Sequence, residues 1–208
     1  KLEDLIMFAS SKDGSYKTLA EYVKDMKEGQ KEIYYACGES VAKIDLLPQV
    51  EAVKDKGYEI LYCTEYVDEF TIMTLRKYKD FEFKNVCNDS IDLDTKEEKE
   101  ELAKKNDNAK DMFKTMAEAV SEVKSIRFTN KLKNHPVCLS SDGEISVEME
   151  KAMNAMPFDN DVKASKVLEI NENHPIAKKL ENLYNTDKEE LKNMTKVLYA
   201  QARLIEGL

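Results

Sequence analysis

Glycine is scarce in this chain, and so are histidine and proline: six, two and four among 208 residues. Phosphate cradles are built on closely spaced glycines. Neither a GxGxxG nor a GxxxxGK(S/T) run occurs, which excludes the common nucleotide-binding loops. A basic excess is missing too. The formal net charge is −9 with 35% charged residues, and such a surface argues against nucleic acid as the main partner. No apolar stretch approaches the roughly 18 residues of a membrane-spanning helix, so no membrane partner is expected. Residues 1–8 are too short and too charged for a secretory signal, and the expected location is the cytoplasm. The four cysteines, Cys37, Cys63, Cys87 and Cys138, are scattered without a CxxC. Zinc sites need clustered ligands, so the thiols read as buried and reduced, as in cytosolic proteins, and no metal is expected. His135 and His174 each precede a proline, which marks chain corners rather than catalysts.

What remains is a well-patterned folding sequence. Apolar residues make up 42%, enough for one or two domains with their own cores. Leu2, Leu5, Ile6 and Phe8 share a helical face at the start. Residues 15–28 read as a helix carrying Leu19, Tyr22, Val23 and Met26 on one face, stopped by Gly29. Ile33, Tyr34, Tyr35 and Ala36 then form a covered strand. Short helices follow near 39–45 and 49–56, with Pro48 suited to a first turn and Gly57 as a cap. A strand at 58–63, a helix at 67–78 and an extended piece at 81–86 complete the first unit. Strands alternating with helices imply a small, largely parallel sheet flanked by helices.

The composition shifts to dense charge at 88–111, a join between two units. A long helix starts near Thr95, and its apolar residues appear late: Met112, Phe113, Met116, Ala117, Val120 and Val123. Strands at 124–130, 136–140 and 165–170, with helices at 144–156, 174–185 and 187–206, describe an α+β domain with a small sheet. The expected division is an α/β unit at 1–92 and a helix-rich α+β unit at 93–208. Both chain ends read as cuts through a longer protein.

Two helices carry conspicuous stripes. Ile145, Met149, Ala152, Met153 and Met156 fall on one face of the helix at 144–156. Such a stripe packs on a core or, being rich in flexible methionine, offers a surface to varied apolar partners. The terminal helix carries Leu191, Met194, Leu198, Gln201 and Ile205, widened by Val197 and Leu204. A stripe this wide must be covered, by its own domain or by a partner.

Residue identity narrows these alternatives. Glu21-Tyr22-Val23, the run 26–30 and Ile33-Tyr34-Tyr35 resemble the late middle domain of the heat-shock protein 90 chaperones, in their bacterial form. Residues 56–61, Val67-Asp68-Glu69, 123–132, His135-Pro136-Val137, 149–153 and 166–176 continue the resemblance in order to the end of the chain. It implies the C-terminal part of a middle domain at 1–92. At 93–208 it implies a C-terminal dimerisation domain lacking its last helix. It implies client binding by Glu69, Phe70, Met73, Ile145, Met149, Met153 and Met156, with Phe70 standing where some bacterial members have tryptophan. It assigns a homodimer interface, weakened by the missing helix, to Leu191, Met194, Leu198, Gln201 and Ile205. The partners implied are unfolded or partly folded client proteins and a second copy. ATP and Mg belong to regions of the parent protein before these residues, so no cofactor and no catalytic residue is expected here.

Two rivals stand beside this reading. A purely structural dimerisation module would bury Met149, Met153 and Met156 completely. A small α/β enzyme could use Asp68 and Glu69 as acid and base, but adjacent helical residues point about 100° apart and make a poor pair.

Overall fold

The computed structural model describes residues 2–88, 94–157 and 162–208. The chain divides into two compact units, Lys1–Ile91 with Glu148–Val162, and Asp92–Val147 with Lys163–Leu208. The expected boundary at 92–93 lies outside the described residues. Residues 148–162, read from sequence as part of the second domain, group with the first unit.

The first unit is built on a six-stranded sheet of β1 (Met7–Ser10), β2 (Tyr16–Thr18), β3 (Glu32–Cys37), β4 (Leu61–Cys63), β5 (Lys77–Tyr78) and β6 (Phe81–Asn85), in the order β2-β1-β4-β3-β6-β5. Only β3 pairs in parallel, with β4 and β6; the other pairings are antiparallel. The sheet is therefore mixed rather than largely parallel, because a hairpin is added at each edge. The first hairpin replaces the helix expected at the start. A short 3-10 turn, Leu2–Leu5, leads straight into β1, whose last three residues are buried. The hairpin closes through Gly14 at φ +73, with the Ser15 N–H donating to Asp13 Oδ1 at 3.0 Å. A left-handed residue there costs glycine little.

Helix α1 (Leu19–Asp25) begins later than its apolar spacing suggests. Thr18 and Glu21 form a reciprocal cap: Thr18 Oγ1 accepts from the Glu21 N–H at 3.2 Å, and Glu21 Oε2 accepts from the Thr18 N–H at 2.8 Å. That box fixes the first turn. Tyr22 then reaches into the core. Its hydroxyl donates to the Glu59 carbonyl at 2.7 Å and accepts from the Tyr34 N–H and from Gln30 Nε2, both at 3.1 Å. Phe8, Leu19, Tyr22, Ile33, Tyr35, Cys37, Leu61, Cys63, Ile72 and Tyr78 form one cluster. The alternate residues of β3, Tyr34 and Ala36, are buried as well, so this strand is covered on both faces as parallel strands usually are. Helices α2 (Val41–Asp45) and α3 (Pro48–Asp55) supply further buried side chains, Ile44, Val50 and Val53. Helix α4 (Tyr66–Leu75) precedes the second hairpin.

The second unit starts with α5 (Lys96–Asn108), capped by Thr95 and Glu98, and α6 (Lys110–Ala117). Its sheet holds β7 (Ser125–Thr129), β8 (Val137–Ser141) and β9 (Lys166–Asn171), with β9 central, parallel to β7 and antiparallel to β8. Ile126, Phe128, Val137, Leu139, Leu168 and Ile170 pack with Met112, Phe113 and Met116 of α6. The same cluster takes in residues of α8 (Pro175–Thr186) and α9 (Lys188–Glu206). Phe113 and Phe128 meet edge to face at 5.0 Å. Asn106 extends the edge of β7, accepting from the Phe128 N–H at 2.8 Å and donating to its carbonyl at 3.2 Å.

The opposite face of this small sheet is polar yet buried. Glu169, on the central strand, accepts from Arg127 Nε at 3.0 Å and Nη2 at 2.7 Å and from the Ser140 hydroxyl, with Lys131 Nζ at 3.9 Å. Asn171 donates to the carbonyls of Lys133 and His135 at 3.2 and 3.0 Å, and so holds the connection before β8 against the sheet.

Candidate functional site

The surface-forming elements lie in both units, and each is described within its own. In the first unit, α4 turns Ile72 into the core and leaves Tyr66, Val67 and Met73 exposed, with Phe70 half-buried beside them. Tyr66, Phe70 and Met73 are spaced four and three residues apart, which places them on one helix face. Tyr66 and Val67 were not among the residues singled out from sequence. The sequence pattern starts the helix at Val67, and its aromatic predecessor belongs to the same first turn. That turn is fixed by Asp68, whose carboxylate accepts from the Glu65 N–H at 3.1 Å. Burial nonetheless pushes the Asp68 carboxyl above its ordinary value, against the pull of this hydrogen bond.

Glu69 does not stand on that surface. Only 6% of it is exposed, and its carboxylate accepts from Asn85 Nδ2 at 3.2 Å. Its charge adds to burial in raising the Tyr35 phenol. Glu69 lines a cavity of about 210 Å³ at the carboxyl ends of β3 and β4, together with Cys37, Cys63, Phe70, Met149 and Ala152. A carboxylate held by Asn85 inside the unit shapes the wall behind the surface.

The methionine stripe also divides. Helix α7 (Val147–Asn154) is shorter than the expected 144–156. Met149 is 4% exposed and lines the cavity, Ala152 is buried, Met153 is half-buried, and Met156, beyond the helix end, is 40% exposed. Ile145 precedes the helix, is half-buried and belongs to the second unit. Met149 is therefore a core residue, and Met153 and Met156 are what the helix offers outward.

In the second unit, α9 is capped by Asp187, whose Oδ1 accepts from the N–H groups of Glu189 and Glu190 at 3.1 and 3.0 Å, and it ends at Gly207 with φ +72. Leu191 and Leu198 face inward with Tyr199 and Ala202, and Met194 packs against the same cluster. The Tyr199 hydroxyl donates to Glu122 Oε2 at 2.6 Å. Ile205 is half-buried, while Gln201, Val197 and Leu204 are exposed. The expected interface set is thus split by the helix phase. Leu191 and Leu198 are satisfied within their own core, and the outward ridge is Val197, Gln201 and Leu204.

Among the described residues, no group of three or more His, Cys, Asp or Glu side chains is placed to hold a metal ion, and no helix is long and apolar enough to cross a membrane.

The amino-acid sequence matches one family from end to end. The family model described as Hsp90 protein covers residues 1–208, and the chain belongs to this heat-shock chaperone family. Among curated relatives, the chaperone protein HtpG of Clostridium botulinum is 52% identical over 209 residues, that of Clostridium acetobutylicum 52% over 208, and that of Bacillus subtilis 49% over 209. Each alignment takes in 100% of this chain and 33% of the relative. The chain therefore spans a third of the length of the relatives it matches.

Proposed function

We propose that these residues form a client-capturing and self-associating part of a heat-shock chaperone. One observation carries the reading. Tyr66, Val67 and Met73 of α4 are exposed in the same unit as the exposed Met156. Phe70 and α7 also line one cavity there. Large apolar side chains gathered on a unit of an otherwise highly charged chain mark a binding surface for apolar partners. Methionine and aromatic residues suit partners of varied shape. A purely structural module would leave no such strip open. The HtpG relatives are named chaperones, which supports the same conclusion.

The test is capture of an unfolded chain. Tyr66→Ser, Met73→Ser and Met156→Ser together remove three exposed apolar groups. The combined variant is expected to stay folded, since exposed substitutions usually change stability within about 0.5 kcal/mol each. Its affinity for a labelled, permanently unfolded protein is expected to fall about tenfold, roughly 1.4 kcal/mol, by fluorescence anisotropy. An unchanged affinity in the folded variant would show that clients bind elsewhere. Self-association is assigned by the same reading to the ridge Val197, Gln201 and Leu204 of α9.

A further inference from the structure

Three of the four cysteines lie at one end of the first unit's sheet. Cys37 closes β3 and Cys63 closes β4, and the two are direct partners in the parallel register. Partnered residues of a parallel pair point to the same face. Both thiols accordingly join one core cluster and line one cavity. Neighbouring strands lie about 4.8 Å apart, inside the roughly 4.4–6.8 Å between Cα atoms that a disulfide spans. Cys87, half-buried, lies two residues past the end of β6, on the other side of β3. Among the described residues these thiols do not converge on a metal position.

We propose that Cys37 and Cys63 form a reversible dithiol–disulfide site, oxidised by a hydroperoxide that enters through the cavity. In the first step one thiol sulfur attacks the peroxide. An S–O bond forms, the O–O bond breaks, and the thiol proton leaves with the departing oxygen as alcohol or water. In the second step the other thiol sulfur attacks that sulfenic sulfur. The S–S bond forms, the S–O bond breaks, and the second proton leaves with the oxygen as water. Two sulfurs are oxidised, and the peroxide takes up the two electrons.

The surroundings set the character of the pair. The hydrogen bond to Cys63, followed by burial, holds the Cys37 thiol well above its ordinary range, and burial raises Cys63. The charge of Glu69 adds to both. Protonated thiols are poor nucleophiles, so the pair resists mild oxidation and reacts faster as pH rises. A disulfide between these strands is open to reduction by thiol–disulfide exchange. Its formation ties together two walls of the cavity that Phe70 and Met149 also line.

The experiment treats the whole chain with hydrogen peroxide, then maps thiols by alkylation in denaturant and mass spectrometry. The expected result is a monomer lighter by two hydrogens, with a peptide joining Cys37 to Cys63, restored by dithiothreitol. The Cys87→Ser variant, altered at a half-buried position, is expected to form the same link. Full alkylation of Cys37 and Cys63 after treatment would overturn the proposal. So would a link running through Cys87, or oxidation confined to Cys87 or Cys138.

Discussion

Leu198→Glu is expected to unfold the second unit, whereas Leu204→Glu is expected to leave it folded and to abolish self-association. The two leucines are six residues apart on α9, and their surroundings are opposite. Leu198 is 4% exposed and packs in the main cluster of its unit, whereas Leu204 is 77% exposed. Losing a buried leucine removes roughly 1.5–3 kcal/mol of apolar burial. An unpaired carboxylate in its place adds several kcal/mol more. The sum is comparable with the whole stability of a domain, about 5–15 kcal/mol. At Leu204 the same change meets water, and the stability effect is expected within about 0.5 kcal/mol. Circular dichroism on heating, with sedimentation velocity over a concentration series, separates the two effects. A Leu198→Glu chain that folds and is merely monomeric would place that residue at a partner's surface instead.

Glu169→Ala is the second change expected to have a large effect. It removes a carboxylate that accepts from both Arg127 and the Ser140 hydroxyl on a largely buried sheet face. Breaking one side of a buried ion pair costs about 3–5 kcal/mol. The lower end is expected here, because Arg127 keeps partial access to water. Glu169→Gln, which keeps an acceptor of the same shape, is expected to cost less. The midpoints of urea unfolding give both values. A loss below about 1 kcal/mol for the alanine variant would mean that the network relaxes around its absence.

Much of the fold was legible because local signals agreed with one another. The apolar run from Ile33 read as a covered strand, the charged run from Thr95 as a helix and 187–206 as the terminal helix, and the structure has β3, α5 and α9 there. The hairpin β5–β6 was not legible. It turns through Lys79 at φ +54 after Arg76 at φ +60, residues that carry none of the Asn-Gly chemistry expected of such turns. Apolar spacing extends the helix back to residue 15, whereas the Thr18–Glu21 box starts α1 at Leu19.

The candidate surfaces were legible as stripes but not as faces. A hydrophobic pattern cannot distinguish a residue facing its own core from one facing a partner. Leu191 and Leu198 therefore looked the same as Val197 and Leu204, and Met149 the same as Met156. Glu69 was assigned by family resemblance alone, and the group that holds it, Asn85, lies sixteen residues on, beyond the reach of any local pattern.

The central claim, that the first unit captures unfolded chains through α4, Met153 and Met156, is tested most directly by hydrogen exchange. Amide exchange of the whole chain would be followed by mass spectrometry, with and without a permanently unfolded protein. The account predicts that protection on binding concentrates in residues 66–73 and 149–157. Binding without added protection in either segment, or with protection confined to the second unit, would contradict it.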